Sequence, residues 1–265
     1  MKAVADLLDL TGKSAIVTGG AVGIGLGISR RLAEAGASVL IADTDAEGGR
    51  LAAKELSAEG YTVENVTADV ADEASVREVV DTAARRFGGV DILVNNAGIY
   101  PSLPLESLGS AEFDRVVAVN LRGVFLFTKY VSELMKAQGR GGHIINVTSI
   151  DALHPSMIGL AAYDATKHGV WGFMKNAALE LAPYNIQVNA VAPGGITTPG
   201  VQTMNSGAAA GVDTEALTAA FLATIPMRRM GEPDDIGKVV LFLVSDMASY
   251  MTGTQVVVDG GALLT

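Results

Sequence analysis

No cysteine occurs in the 265-residue chain, which removes disulfides, thiolate nucleophiles and cysteine-ligated zinc at once. That absence suits a reducing compartment, and a cytoplasmic location is the expectation. Basic residues are scarce: 19 Lys and Arg against 29 Asp and Glu leave a formal net charge of −10. Nucleic acids and anionic membranes bind basic surfaces, so neither is an expected partner. No hydrophobic run approaches the ~20 residues of a membrane span. The opening "MKAVADLLDLTGK" has no uninterrupted apolar stretch of signal-peptide length. No metal-binding His/Glu spacing is found, so no catalytic metal is expected.

What remains is globular: 49% of residues are hydrophobic and 18% charged. The length suits one α/β domain spanning residues 1–265, with no linker, low-complexity tract or tandem repeat. Short β-rich runs ("SAIVT", "SVLIA", "YTVENVT", "VDILVN", "HIINVTS", "IQVNAVA", "TQVVVD") alternate with helix-period segments such as 27–36, 47–60 and 73–88. Strands separated by helices imply βαβ crossovers and a doubly wound, mostly or fully parallel sheet of seven strands, with helices on both faces. One interval breaks the rhythm. Residues 194–221, rich in small residues and breakers, read as a long loop with a helix at its end, a candidate substrate lid.

Several short stretches carry chemistry. "TGGAVGIG" (18–25) follows one strand and opens a helix. Glycines there permit a tight turn and let a pyrophosphate approach the helix N-terminus, where amides and dipole favour an anion. The spacing Gly19, Gly23, Gly25 differs from the commonest G-x-G-x-x-G fingerprint. Asp43 ends the next strand, 18 residues beyond Gly25. By itself it suits a helix N-cap; paired with the glycine turn, it suits the hydroxyls of an adenosine ribose. "NNAG" (95–98) and "PGGITT" (193–198) end later strands, as tight turns or as part of a ligand-binding edge. Ser149 also ends a strand, 14 residues before Tyr163. In "YDATKHG" (163–169), Tyr163 and Lys167 stand four apart and share one helix face.

Together "TGGAVGIG", "NNAG", "VNLRG", Ser149, "YDATK" and "PGGITT" occur in the order and spacing of the short-chain dehydrogenase/reductase family. The chain resembles that family from Lys13 to the "VDGG" at 258–261. The resemblance implies a Rossmann-type domain and a catalytic set of Asn120, Ser149, Tyr163 and Lys167. Tyr163 would exchange a proton with the substrate oxygen, and Ser149 would hydrogen-bond that oxygen. Lys167 would lower the phenol's pKa, with the positive nicotinamide ring, and hold the nicotinamide ribose. Asn120 would organise a water path. For the cofactor it implies Gly19, Val22, Gly23, Ile24 and Gly25 at the pyrophosphate and Asp43 at the ribose. Asp69 and Val70 would lie by the adenine, with Asn96, Ala97 and Gly98 along the adenosine side. Pro193, Gly194, Ile196 and Thr198 would lie towards the carboxamide. Asp164 and Thr166 stand where serine is often seen in "YSASK". A homotetramer is also implied.

Asp151 and His154, just after Ser149, are candidate substrate contacts beside Ser149 and Tyr163, while His143 and His168 read as structural or surface residues. The expected cofactor is NAD. Asp43 would repel a 2′-phosphate, and neither Thr44, Asp45, Ala21 nor Val22 offers a cation to hold one. The expected reaction interconverts a secondary alcohol and a ketone, both small-molecule substrates. The alternatives are reduction of a 3-oxoacyl thioester and non-catalytic dinucleotide binding.

Overall fold

A computed structural model describes residues 2–200 and 222–265. Seven strands form one sheet: β1 (Ser14–Thr18), β2 (Ser38–Asp43), β3 (Val63–Thr67), β4 (Ile92–Asn95), β5 (Gly142–Val147), β6 (Ile186–Pro193) and β7 (Gln255–Val258). Their order is β3-β2-β1-β4-β5-β6-β7, and every pairing is parallel. The chain builds outward from β1 to β3, then returns to place β4 on the other side of β1. That reversal opens a crevice at the carboxyl ends of β1 and β4, the usual ligand position in such sheets.

Both faces of the sheet are covered, and the side-chain period of two divides the strand residues between two cores. Val17, Ile41, Val94 and Ile145 face one, packed with Ile28 and Leu32 of helix α2 (Gly23–Glu34). Their neighbours Ile16, Leu40, Leu93 and Ile144 face the other, packed with Val76, Val79, Phe127 and Met174. Those four belong to α4 (Glu73–Phe87), α6 (Gly123–Gln138) and α7 (Ala161–Leu181). The inner strands β1, β2 and β4 are therefore nearly continuous buried runs without the alternation of a half-exposed sheet, while the edge strands β3 and β7 are only partly buried.

Capping residues set where the remaining helices begin. α3 (Ala46–Ala58) starts on Asp45, whose carboxylate accepts from the Gly48 amide at 2.9 Å. α4 starts on Asp72, which accepts from the Ser75 amide at 2.9 Å, and stops at Gly88 with φ +77. The short α1 (Val4–Leu7) precedes β1, and α5 (Ser110–Val117) leads into α6. The last helix, α8 (Pro233–Val244), opens on a Glu232/Asp235 capping box. It packs against α2 so closely that a Cβ on Gly237 would lie 2.7 Å from the Gly27 carbonyl oxygen. Arg31 of α2 reaches across to Asp234 with its Nε 2.5 Å from the carboxylate. These contacts anchor the helix that carries the glycine turn.

Candidate active site

The glycine turn leaves β1 at Gly19, whose φ of +63 and close approach to Ala97 both exclude a side chain. A Cβ on Gly25 would run into the Gly19 carbonyl oxygen and sit 2.6 Å from Asn96 Nδ2. Asn96 is the clamp: its Nδ2 donates to the carbonyls of Thr18 and Gly19, both at 2.9 Å. Thr18 Oγ1 in return accepts from the Asn96 amide at 3.0 Å and the Ala97 amide at 3.1 Å. "TGG" and "NNAG", 77 residues apart, thus form one unit across the crevice. The N-cap residue of α2, Val22, gives no side-chain cap, in contrast to Asp45 and Asp72 at α3 and α4, as suits a helix start that faces an anion.

Asp43 is not the cap of the following helix; that role falls to Asp45. Its Oδ2 accepts from the Ala21 amide at 3.0 Å, and its Oδ1 from the Asp45 amide at 3.1 Å. The carboxylate is therefore fixed against the glycine turn. The Ala68 amide donates to the Asp43 carbonyl at 2.8 Å, which places Asp69 and Val70 beside it. Asp69 is exposed and Val70 buried. Thr198 lies over the turn from the other side, since a Cβ on Gly23 would come within 3.2 Å of its Cγ2. Gly194 and Ile196 are held by backbone pairing: the Gly194 amide donates to Val258 at 3.0 Å, and Ile196 bridges to Gly231. Pro193 ends β6.

Asn120 sits in a π-helical turn (Ala118–Arg122) between α5 and α6, a local widening that often marks functional positions. It is only 1% exposed. Its Oδ1 accepts from the Ile99 amide and its Nδ2 donates to the Ile99 carbonyl, each at 2.8 Å. Nδ2 also reaches Thr166 Oγ1 at 3.2 Å. A Cβ on Gly98 would lie 3.4 Å from Asn120 Oδ1 and 3.7 Å from Lys167 Nζ. Asn120, Gly98 and Lys167 therefore converge on one spot.

Lys167 is 5% exposed, and its Nζ donates to the Val147 carbonyl at 2.8 Å. Burial pushes its pKa down to about 8, with the Asp151 charge opposing. The same Nζ is 5.4 Å from the centroid of the Tyr163 ring, as spacing on one helix face requires. Burial holds the Tyr163 phenol above its ordinary value; a hydrogen bond with Ser149 opposes this, while Asp151, Tyr100 and Asp164 reinforce it. The Tyr100 ring packs edge-on against Tyr163, with centroids 6.0 Å apart.

Ser149 precedes a short 3-10 turn (Ile150–Ala152) after β5. Its Oγ donates to Asp151 Oδ2 at 2.7 Å and accepts from the Asp151 amide at 3.1 Å. Asp151 is buried, whereas His154 is exposed, with Nδ1 3.0 Å from the Pro155 carbonyl. His168 is exposed beside the Asp164 carbonyl. Partly buried in β5, His143 has its pKa pushed down to about 4 by desolvation. Of the 194–221 segment, residues 201–221 lie outside the described residues. No group of three or more possible metal ligands occurs among the described residues, and no described helix is long and apolar enough to cross a membrane.

The chain is similar to known proteins over nearly its whole length. Residues 19–262 match the family described as enoyl-(acyl carrier protein) reductase. Levodione reductase of Leifsonia aquatica is 40% identical over 258 residues, 95% of this chain and 94% of that protein. Cyclopentanol dehydrogenase of Comamonas testosteroni is 39% identical over 249 residues, 94% of this chain and 96% of that protein. The crystal structure of a short-chain type dehydrogenase/reductase from Mycobacterium marinum superposes with a TM-score of 0.92 at 34% identity, covering 99% of this chain and 100% of that one. The chain belongs to the short-chain dehydrogenase/reductase family of oxidoreductases.

Proposed function

We propose that the protein is an NAD-dependent oxidoreductase that interconverts a secondary alcohol and a ketone. The observation that carries this reading is the convergence of Tyr163, Lys167, Ser149 and Asn120 at the carboxyl edge of the sheet, beside a glycine turn braced by Asp43. The turn fits a dinucleotide because side chains at Gly19 and Gly25 would fill the space between β1 and Asn96. Gly19, Val22, Gly23, Ile24 and Gly25 would take the pyrophosphate, and Asp43 the ribose hydroxyls. Asp69, Val70, Asn96, Ala97 and Gly98 would flank the adenosine, and Pro193, Gly194, Ile196 and Thr198 the nicotinamide end. Bound nicotinamide dinucleotide supplies hydride exchange with the substrate carbon and, when oxidised, a positively charged ring.

The chain's own residues handle the proton. Tyr163 accepts it from the alcohol or returns it to the ketone oxygen at its hydroxyl. Burial alone holds that phenol too high for neutral pH, so positive charge has to bring it down. Lys167 provides one such charge, and its own lowered pKa lets it pass a proton onward. Asn120 fixes the backbone at Ile99 and stands where a water could link Lys167 to solvent. Ser149 meets the reacting oxygen. His154, exposed on the segment after Ser149, could reach a bound substrate. A cytoplasmic homotetramer is the expected form, and exposed Tyr250 and Leu264 near the carboxyl terminus suit subunit contact.

A second reading, reduction of a 3-oxoacyl thioester with NADPH, is supported by a 3-oxoacyl-[acyl-carrier-protein] reductase of Thermotoga maritima that is 37% identical over 255 residues. One assay separates the readings. Reduced-nicotinamide absorbance is followed with NAD and NADP across sugars, polyols, aliphatic and aryl secondary alcohols and hydroxysteroids, and with NADH and NADPH on a 3-oxoacyl thioester. Turnover of an alcohol with NAD is expected. Turnover of the thioester alone, with NADPH, would replace the first reading with the second, and no turnover of any substrate would leave only dinucleotide binding.

A further inference from the structure

Two chain segments leave the neighbourhood of the Tyr163 phenol separately and meet again. The one after β4 starts beside Tyr163 at Tyr100, whose ring packs edge-on against the phenol. The one after β5 starts at Ser149 and is tied back by Asp151, whose Oδ1 accepts from the Ser156 amide at 2.8 Å. They join where the Leu103 amide donates to the Gly159 carbonyl at 2.9 Å, so tightly that a Cβ on Gly159 would lie 2.8 Å from Ser102 Oγ. The segment after β6 reaches the same place, since a Cβ on Gly200 would collide with the Tyr100 hydroxyl. Three strand exits therefore converge on Tyr100, in direct contact with Tyr163.

The joined segments make an apolar lip. Leu105 and Ile158 are 79% and 87% exposed on it, and Leu153 and Met157 are exposed as well. One exposed apolar residue is ordinary, but several on joined segments mark a surface that binds something. Pro101, Pro104 and Pro155 fix φ along the lip, so it has little freedom to lose on binding. Cations are missing from its sequence. Residues 96–114, 148–166 and 194–221 contain no Lys or Arg, and His154 is their only histidine. Lys167 is buried and held by the Val147 carbonyl. Beyond these segments Arg228 donates to the Ala223 carbonyl, and Arg229 to Asp235. A carboxylate or phosphate on a substrate would meet no Lys or Arg from the lip, and the net charge of −10 adds repulsion.

We propose that the substrate is an uncharged alcohol or ketone with an apolar body, which rests on this lip while its oxygen meets Ser149 and Tyr163. Tyr100, Leu105 and Ile158 are then specificity-determining residues. This inference rests on the reaction proposed above and names the substrate class for it. Binding energy comes from hydrocarbon taken out of water, with a few polar groups fixing the reacting oxygen, as in most small-molecule sites. Hydroxy acids, sugar phosphates and thioesters on phosphate-bearing carriers are disfavoured, because their charge would be desolvated against the lip without a partner.

The test uses linear secondary alcohols of four to eight carbons, the matched ketones, and analogues ending in a carboxylate or carrying extra hydroxyls. Dissociation constants of the ketones, by calorimetry with NAD present, read the lip without turnover; kcat and KM for the alcohols are measured beside them. Affinity is expected to rise about threefold per added methylene. The carboxylate analogue is expected to bind at least ~10-fold more weakly than the alkyl compound of equal length. Ile158→Asp and Leu105→Asp alter exposed side chains, so the unfolding midpoint and NAD affinity are expected to match the parent. Each is expected to weaken the eight-carbon ketone about tenfold, with the loss for its alcohol carried mainly by KM and the four-carbon pair changed least. A carboxylate or polyol bound as tightly as the alkyl compound overturns the inference. So does a parent-like chain-length series in both variants, or a change confined to the oligomeric state in sedimentation, which would make the lip a subunit contact. The expected ketone series with no alcohol oxidised would leave the lip standing and remove the reaction proposed above.

Discussion

The Lys167 ammonium lies 5.4 Å from the centre of the Tyr163 ring while donating to the Val147 carbonyl at 2.8 Å. Strand β5 therefore holds a buried ammonium group beside the α7 phenol, the charge that the proposed mechanism uses. Lys167→Met keeps the length and removes the charge. Turnover is expected to fall at least ~10²-fold, with weaker dinucleotide binding. Unfolding temperature is expected to stay level or rise, because an apolar isostere relieves a buried charge. Activity and thermal melting on the same preparation check both; lost stability with retained turnover would reverse the assignment.

Gly25 faces the Gly19 carbonyl and Asn96 across the crevice. A methyl group there has to displace backbone, so Gly25→Ala is expected to cost about 1–3 kcal/mol of stability, as overpacking does. Dinucleotide binding is expected to be lost with it. Calorimetric titration and denaturant unfolding measure the two effects separately.

Asp43 braces the Ala21 and Asp45 amides, and the proposed function also gives it the ribose hydroxyls. The parent is expected to prefer NAD over NADP about a hundredfold, a difference of ~3 kcal/mol. Asp43→Ala is expected to narrow that preference by weakening NAD and admitting NADP. It should also lose about 1 kcal/mol of stability from the two amide bonds. Catalytic efficiencies with both dinucleotides decide it: equal values in the parent would remove Asp43 from cofactor choice.

His143 is held neutral by burial, with its pKa at about 4 against an ordinary 6.5. Below the unfolded value the unfolded chain binds a proton that the folded one does not, so stability falls as pH drops from 6.5 towards 4. Between pH 7.5 and 5.5 this residue accounts for a loss of about 1 kcal/mol. His143→Gln, which does not titrate, is expected to flatten that part of the profile. Urea unfolding at the two pH values checks it; an unchanged slope would place the acid sensitivity elsewhere.

The strands were legible because buried parallel strands are short apolar runs between helices, and the structure sets their ends within two residues of those runs. The glycine turn, Asp43, Ser149 and the Tyr163/Lys167 pair were legible because each is a local pattern at a strand end or on a helix face. Asn120 was legible only through family resemblance: its side chain is held by Ile99 and Thr166, 21 and 46 residues away. The Val147 carbonyl under Lys167 and the Tyr100 ring against Tyr163 carry no sequence pattern. Asp45 capping α3 in place of Asp43 turned on two residues of register at a boundary where either acid could serve. The candidate lid's residues 201–221 fall outside the described structure.

The most direct measurement is the turnover of Tyr163→Phe beside the parent, with NAD and an alcohol from the panel, followed by reduced-nicotinamide absorbance and paired with NAD binding by calorimetry. The substitution keeps the ring against Tyr100 and deletes only the hydroxyl. The expected result is turnover lower by at least ~10²-fold with NAD affinity largely retained. Turnover equal to the parent's would contradict the central claim that this phenol carries the substrate's proton.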